Sequence, residues 1–161
     1  MVKIETLIRE GKVNKIKETE LDRYINFFTE SYKDNLSHSE STKKNYPRWS
    51  IISGYYAMHD ISKLLIAKLY MLKIEKEVHA TTIKVLRELV MDKQIIELME
   101  KAHDEFSSLA SELSDAKKER VKVQYYTGTE FMKEKYKEKA TEFYDNIVVK
   151  FMGKIKELLE K

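Results

Sequence analysis

The sequence predicts an all-α protein, an up-and-down antiparallel bundle of about five helices. The chain has 161 residues with only one Pro and four Gly, far fewer turn-forming residues than usual. Apolar side chains recur at spacings of three and four residues along most of the chain, and no segment alternates with the period of two that a strand needs. The length suits a single helical domain over 1–161.

The apolar stripes locate the individual helices. A Gly follows the first stripe, so the N-terminal part, 1–18, is expected to be a short helix or an arm. The stretch 37–45 is small, polar and aperiodic, which predicts a loop, and Pro47 suits the first turn of the helix that follows. The predicted helices cover about 4–8, 19–36, 47–72, 80–91, 95–113 and 130–159.

Charge and cysteine content exclude several classes of protein. A formal net charge of +3 from 30 cations and 27 anions excludes a polybasic nucleic-acid binder, so any nucleic-acid contact must be local. Without Cys there is no disulfide scaffold, thiol nucleophile or iron–sulfur cluster. No apolar run is long enough to span a membrane and no signal peptide is evident, so we expect a soluble cytoplasmic protein without membrane contact.

The helix predicted over 47–72 is apolar around almost its whole circumference, which is typical of a central helix. It nevertheless carries Tyr56, His59, Asp60 and Lys63, which share an arc of about 100°. Ionisable groups on such a helix must pair, line a wet cleft or meet a ligand. The simpler alternative is an Asp60–Lys63 salt bridge at the bundle rim, with His59 hydrogen-bonded to a carbonyl.

The other histidines carry weaker predictions. His79 begins the next helix, where it is either one side of a cleft or an exposed terminal residue. His38 in the polar stretch and His103 on an apparently wet face are predicted to be ordinary surface residues. No two histidines have the spacing of metal ligands, so neither a metal nor a cofactor is expected.

A basic segment with aromatic residues precedes the last helix. Arg120 lies among lysines and Tyr125 follows it, a combination that could contact phosphate and stack on a base. A solvated helix end is the alternative. The glycine-rich motifs of P-loop proteins, Rossmann folds and α/β-hydrolases are absent from the sequence.

Three short segments together resemble the HEPN family over about 47–160. Ser-Gly-Tyr-Tyr-Ala-Met-His-Asp-Ile-Ser-Lys at 53–63 is similar to the family's central-helix signature. Glu-Val-His at 77–79 resembles its Lys-x-His element, and Arg-Val-Lys-Val-Gln-Tyr at 120–125 resembles its Arg-x-x-Ala-Asp-Tyr element. The resemblance implies a helical bundle, a homodimer, and a partner that is a minimal nucleotidyltransferase or belongs to a toxin–antitoxin pair.

The resemblance also implies nucleotide or RNA binding, in some members with RNA cleavage. The family's ribonucleases carry an Arg followed by a His after four to six residues, and no Arg in this sequence has a His at that distance. The leading hypothesis is therefore a module that binds a nucleotide or single-stranded RNA. Its predicted ligand-binding residues are Tyr56, His59, Asp60, Lys63, His79, Arg120 and Tyr125.

Two further hypotheses remain open at this point. In a metal-independent ribonuclease toxin, His59 or His79 would act as general acid or base and Arg120 would stabilise the transition state. In a non-catalytic dimerisation or interaction subunit, the polar residues of the central helix would form a buried network that fixes the geometry of a partner.

Overall fold

The computed structural model describes residues 3–119 and 130–161, and it confirms the prediction of an all-α bundle. Two three-residue strands and a π-helical segment accompany the α-helices. In chain order the elements are α1 (Ile4–Arg9), β1 (Val13–Lys15), α2 (Glu18–Thr42), α3 (Pro47–Tyr70), β2 (Leu72–Ile74), α4 (Val78–Leu89), α5 (Lys93–Glu119), α6 (Glu130–Phe143), the π-helical segment (Tyr144–Val148) and α7 (Val149–Leu159).

Helix α3 is the central helix, as its apolar circumference predicts. Its buried residues extend from Ser50 to Ala67, and it packs against α2, α4, α5, α6 and α7. Helix α2 runs antiparallel to it, because Ser39 contacts Ser50 near one end while Ser31 contacts Asp60 further along. The apolar side chains around α3, whose exposure to water would cost free energy, are therefore enclosed by the other helices.

The predicted loop over 37–45 is wrong for its first six residues, which continue α2 to Thr42. Small polar residues usually weaken a helix because they compete for backbone hydrogen bonds. Here they serve the packing of α2 on α3: the hydroxyl of Ser39 donates to the carbonyl of Ser50 at 2.7 Å, and the hydroxyl of Ser50 donates to the carbonyl of Ser39 at 2.6 Å. Tertiary contact outweighs local propensity at this end of the helix.

A two-stranded antiparallel ribbon joins the N-terminal arm to the connector after α3. Val13 pairs with Ile74, Asn14 with Lys73, and Lys15 with Leu72. The sequence analysis expected no strand, and strands of three residues are too short to show alternation. The ribbon buries Val13, Leu72 and Ile74 and so fixes the start of α4, where a predicted site residue lies.

A close approach at Gly54 sets the depth of α3 in the bundle. A Cβ at this position would lie 2.9 Å from the hydroxyl of Ser39, 2.9 Å from a methyl of Val148 and 3.0 Å from the ring of Phe143. Any larger residue would push α3 away from α2 and from the π-helical segment. The glycine lies next to Tyr55, which belongs to the candidate site.

The last helical prediction, over about 130–159, corresponds to α6, the π-helical segment and α7, which follow one another without a break. The π-helical segment buries Tyr144 and Val148. Within the described residues, none of the helices combines the length and the apolar character needed to cross a membrane.

Candidate functional site

The predicted polar residues of α3 divide between two neighbouring groups. Asp60 and Lys63 contact α2, whereas His59 contacts His79 at the start of α4. Tyr56 lies beside His79 at the surface, with 40% of its area exposed. One face of α3 thus supplies both groups; α2 completes the first, and α4 and α5 complete the second.

We call the first group, Ser31, Asn35, Asp60 and Lys63, the Asp60 network. Both oxygens of the Asp60 carboxylate have hydrogen-bond partners in it. One oxygen of Asp60 accepts hydrogen bonds from Ser31 at 2.6 Å and from Asn35 at 3.0 Å. The other oxygen lies 3.3 Å from the ammonium nitrogen of Lys63, which also lies 4.9 Å from the ring centre of Phe28. The salt bridge of the simpler alternative therefore exists, and α2 satisfies the carboxylate that α3 buries.

The second group centres on Tyr55, which is fully buried. Its hydroxyl oxygen lies 2.8 Å from Nδ1 of His79 and 2.8 Å from Nδ1 of His103. The hydroxyl has one proton, so with neutral imidazoles it donates to one ring and accepts from the other. The two histidines then carry opposite tautomers, linked through Tyr55.

His59 completes this second group, the histidine cluster of Tyr55, His59, His79 and His103. Its ring centre lies 4.6 Å from that of Tyr55 and 4.7 Å from that of His79. Only 1% of His59 is exposed, and neither ring nitrogen has a hydrogen-bond partner within the described part of the chain. The carbonyl partner that the simpler alternative required for His59 is not found there.

Burial controls the charge state of the cluster. It lowers the pKa of His59 well below the usual value, and the nearby His79, Lys63 and His103 lower it further. Burial also lowers the pKa of His79, with the positive charge of Lys63 as the next cause. Burial raises the pKa of the Tyr55 hydroxyl. At neutral pH His59, His79 and Tyr55 are therefore uncharged and can both donate and accept hydrogen bonds.

Aromatic rings connect the buried cluster to the surface. Phe106 of α5 stacks on Tyr55 at 4.3 Å between ring centres and lies nearly parallel to His79 at 5.7 Å. Tyr56 meets His79 edge-on at 5.8 Å and Phe106 at 6.0 Å. The cluster therefore passes from buried His59, through His79 and Phe106, to the exposed ring of Tyr56.

The structure brings Tyr56, His59 and His79 together and places Asp60 with Lys63 next to them. Two other predicted site residues, Arg120 and Tyr125, lie outside the described residues. The prediction that His103 is an ordinary surface residue is wrong. His103 is partly buried and hydrogen-bonded to Tyr55.

A sequence signal for His103 existed. It follows buried Ala102 and precedes Phe106 by three residues, so it borders the apolar face of α5. Tyr55 occupies an apolar position of α3, and only its two histidine partners show that its hydroxyl belongs to a polar cluster. His38 is exposed, as predicted, but it lies on α2 rather than in a loop, and its Nδ1 is 2.6 Å from the hydroxyl of Ser53.

Across 3–119 and 130–161, no three His, Asp or Glu side chains are grouped so that they could hold a metal ion. The side chains of the histidine cluster can donate and accept hydrogen bonds, transfer protons and stack their rings.

Comparisons with known proteins identify no relative. No family model matches the chain, and neither a curated protein nor a solved structure matches it. The resemblance to the HEPN family stays a prediction that rests on the three sequence segments.

Proposed function

We propose that the protein binds a nucleotide or single-stranded RNA at the surface formed by Tyr56, His79 and Lys63. The observation that carries the proposal is His59, whose two ring nitrogens are buried without a partner among residues 3–119 and 130–161. Leaving a buried polar group unsatisfied costs about 1–3 kcal/mol. Such a cost at the centre of a polar cluster is typical of a site that a ligand or a bound water completes.

The neighbouring side chains match the parts of a nucleotide. Lys63 has three N–H donors, and Asp60 takes one of them, which leaves donors for a phosphate oxygen. Tyr56 lies seven residues earlier on α3, about 10 Å along the helix axis, and its exposed ring can stack on a base. Asp60 holds the Lys63 side chain in place, which lowers the entropy lost on binding.

The test is a fluorescence-anisotropy titration of labelled ATP and of a labelled eight-nucleotide RNA at two salt concentrations. Lys63→Gln should weaken both ligands about tenfold, because one charged contact is lost, and high salt should weaken wild-type binding. Lys33→Gln on the exposed side of α2 is the matched control. Equal affinity of wild type and Lys63→Gln, at unchanged melting temperature, would contradict the proposal.

A second function, metal-independent RNA cleavage, is favoured by the 4.7 Å separation of the His59 and His79 rings. Such cleavage needs one group that takes a proton and one that gives a proton. The pKa values of both histidines are lowered, so the acid form becomes abundant only in acidic solution. Cleavage should therefore increase below about pH 6.5 and disappear in His79→Ala. Intact RNA at pH 5 to 7 would exclude it.

We also propose that the protein acts in the cytoplasm with a protein partner, which is a nucleotidyltransferase or the other half of a toxin–antitoxin pair.

We further propose that the protein forms a homodimer. The support for an interface is an apolar surface at the start of α3, where Trp49 is 60% exposed and Tyr46 is also exposed. Exposed aromatic residues of this size are common at protein interfaces. Light scattering should give twice the chain mass for wild type and the single-chain mass for Trp49→Glu; a wild-type monomer would refute the dimer.

A further inference from the structure

A second surface lies next to the Asp60 network, along α2. Three aromatic residues and two cations line a groove of about 590 Å³ between α2 and β2, a volume within the usual range of ligand sites. We call it the α2 groove. Its lining residues are Ile16, Thr19, Glu20, Arg23, Tyr24, Phe27, Phe28 and Lys73.

The α2 groove is continuous with the proposed nucleotide site through Phe28. The ammonium nitrogen of Lys63 lies 4.9 Å from the ring centre of Phe28, and Phe27 meets Phe28 edge-on at 5.0 Å. Phe27 is 64% exposed, although it lies in a helix whose other aromatic residues are packed. A ligand that contacts Lys63 can therefore extend across Phe28 to the free ring of Phe27.

The charge of the groove suits an anionic ligand. Arg23 lies one helical turn before Phe27 on the same face of α2, and no ion pair of Arg23 is found within the described ranges. Lys73 is paired with Glu75 at 3.1 Å and more loosely with Glu20 at 3.7 Å. Arg23, unpaired among the described residues, and the exposed ring of Phe27 line the same groove. Charge and a stacking surface together are what single-stranded nucleic acids bind.

We propose that the α2 groove is a second subsite for single-stranded RNA, which stacks a base on Phe27 and contacts a phosphate with Arg23. The inference rests on the proposed function and deepens it, because it assigns the site to a chain of several nucleotides rather than to a mononucleotide. An acidic peptide would satisfy Arg23 but would supply no regular succession of rings for Phe27 and Tyr56. A polynucleotide supplies one ring and one charge per unit.

The experiment compares labelled ATP with oligoadenylates of two and eight nucleotides by fluorescence anisotropy. Wild type should bind the eight-nucleotide RNA more tightly than the dinucleotide. Phe27→Ala and Arg23→Gln should each weaken the eight-nucleotide RNA about tenfold and leave ATP unchanged. Lys33→Gln, on the exposed side of the same helix, should leave every affinity unchanged. Because Phe27 and Arg23 are exposed, the melting temperatures of their variants should match wild type.

The outcomes separate this inference from the proposed function. If Lys63→Gln weakens ATP and RNA while Phe27→Ala and Arg23→Gln change neither, the nucleotide site stands and the second subsite is wrong. If wild type binds no ATP and no RNA, both are wrong. Competition by poly-glutamate as effective as that by unlabelled RNA would show that the groove recognises acidic peptides, and it would overturn the assignment to RNA.

Discussion

The Asp60 network and the histidine cluster contain adjacent residues of α3, Asp60 and His59, which are both buried but differ in their hydrogen bonds. Asp60 is 5% exposed and receives hydrogen bonds from two residues of α2 and from Lys63. His59 is 1% exposed and has no hydrogen-bond partner in the described residues. Burial of Asp60 is thus compensated by its hydrogen bonds, whereas the described part of the fold gives no such compensation for His59. The difference separates a residue that joins α3 to α2 from the residue on which the proposed ligand site rests.

Asp60→Ala is expected to have the largest effect on this comparison. It leaves a mostly buried ammonium without its carboxylate and two donors of α2 without an acceptor. Breaking a buried pair in this way costs about 3 kcal/mol or more, measured as the loss in unfolding free energy in urea.

The control for that prediction is the double variant Asp60→Leu with Lys63→Met. Because replacing both charges by apolar groups removes the uncompensated charge, most of the lost stability should return. A single variant as stable as wild type would show that the Asp60 network is not structural.

Tyr55→Phe should have an intermediate effect, because it keeps the ring packing and removes only the hydroxyl between His79 and His103. Two partly buried ring nitrogens then lose a hydrogen bond, which costs about 1.5 kcal/mol of unfolding free energy. Thermal denaturation measures it, and Tyr56→Phe, which alters an exposed hydroxyl nearby, serves as the matched control. Equal losses of unfolding free energy in the two variants would contradict the hydrogen bonds of the Tyr55 hydroxyl to His79 and His103.

His59→Leu should change stability little and in the opposite direction. It removes two unsatisfied nitrogens and keeps an apolar side chain of similar size, so the unfolding free energy should stay constant or increase by about 1 kcal/mol. The same variant should bind ATP and RNA more weakly than wild type in the anisotropy titration. A loss of stability comparable with that of Asp60→Ala would mean that His59 has structural partners and would remove the contrast.

The pH dependence of stability tests the burial of His59 and His79 without a substitution. An exposed histidine has a pKa of about 6.5, and in the folded protein the pKa values of His59 and His79 are lower. As the pH falls below about 6.5 the unfolded chain therefore binds protons first, and the unfolding free energy decreases until the folded-state pKa values are passed. The contribution is fully present above pH 6.5. Urea denaturation between pH 5 and 7.5 should show a steeper decrease for wild type than for His59→Leu; parallel curves would contradict the lowered pKa values.

The sequence predicts local features of this protein well. Apolar residues at helical spacing locate α3 and the last helices, and the same spacing places Tyr56, His59, Asp60 and Lys63 on one arc of α3. These properties follow from the period of a single helix, which neighbouring residues determine. The end of α2 is not predicted in this way, because Ser39 stabilises it through a contact with Ser50 of another helix.

Only the tertiary structure decided which of these residues are satisfied. His59 and Asp60 are neighbours in sequence, yet a rotation of about 100° directs one toward α4 and the other toward α2. The hydroxyl of Tyr55 contacts His103, 48 residues away in the sequence. Strand β1 pairs with β2 although α2 and α3 separate them in the sequence. Such contacts join distant segments, and no local period encodes them. The sequence by itself therefore determined the helices and the polar face of α3, and the packing of α2, α4 and α5 around that face decided which polar groups have partners among the described residues.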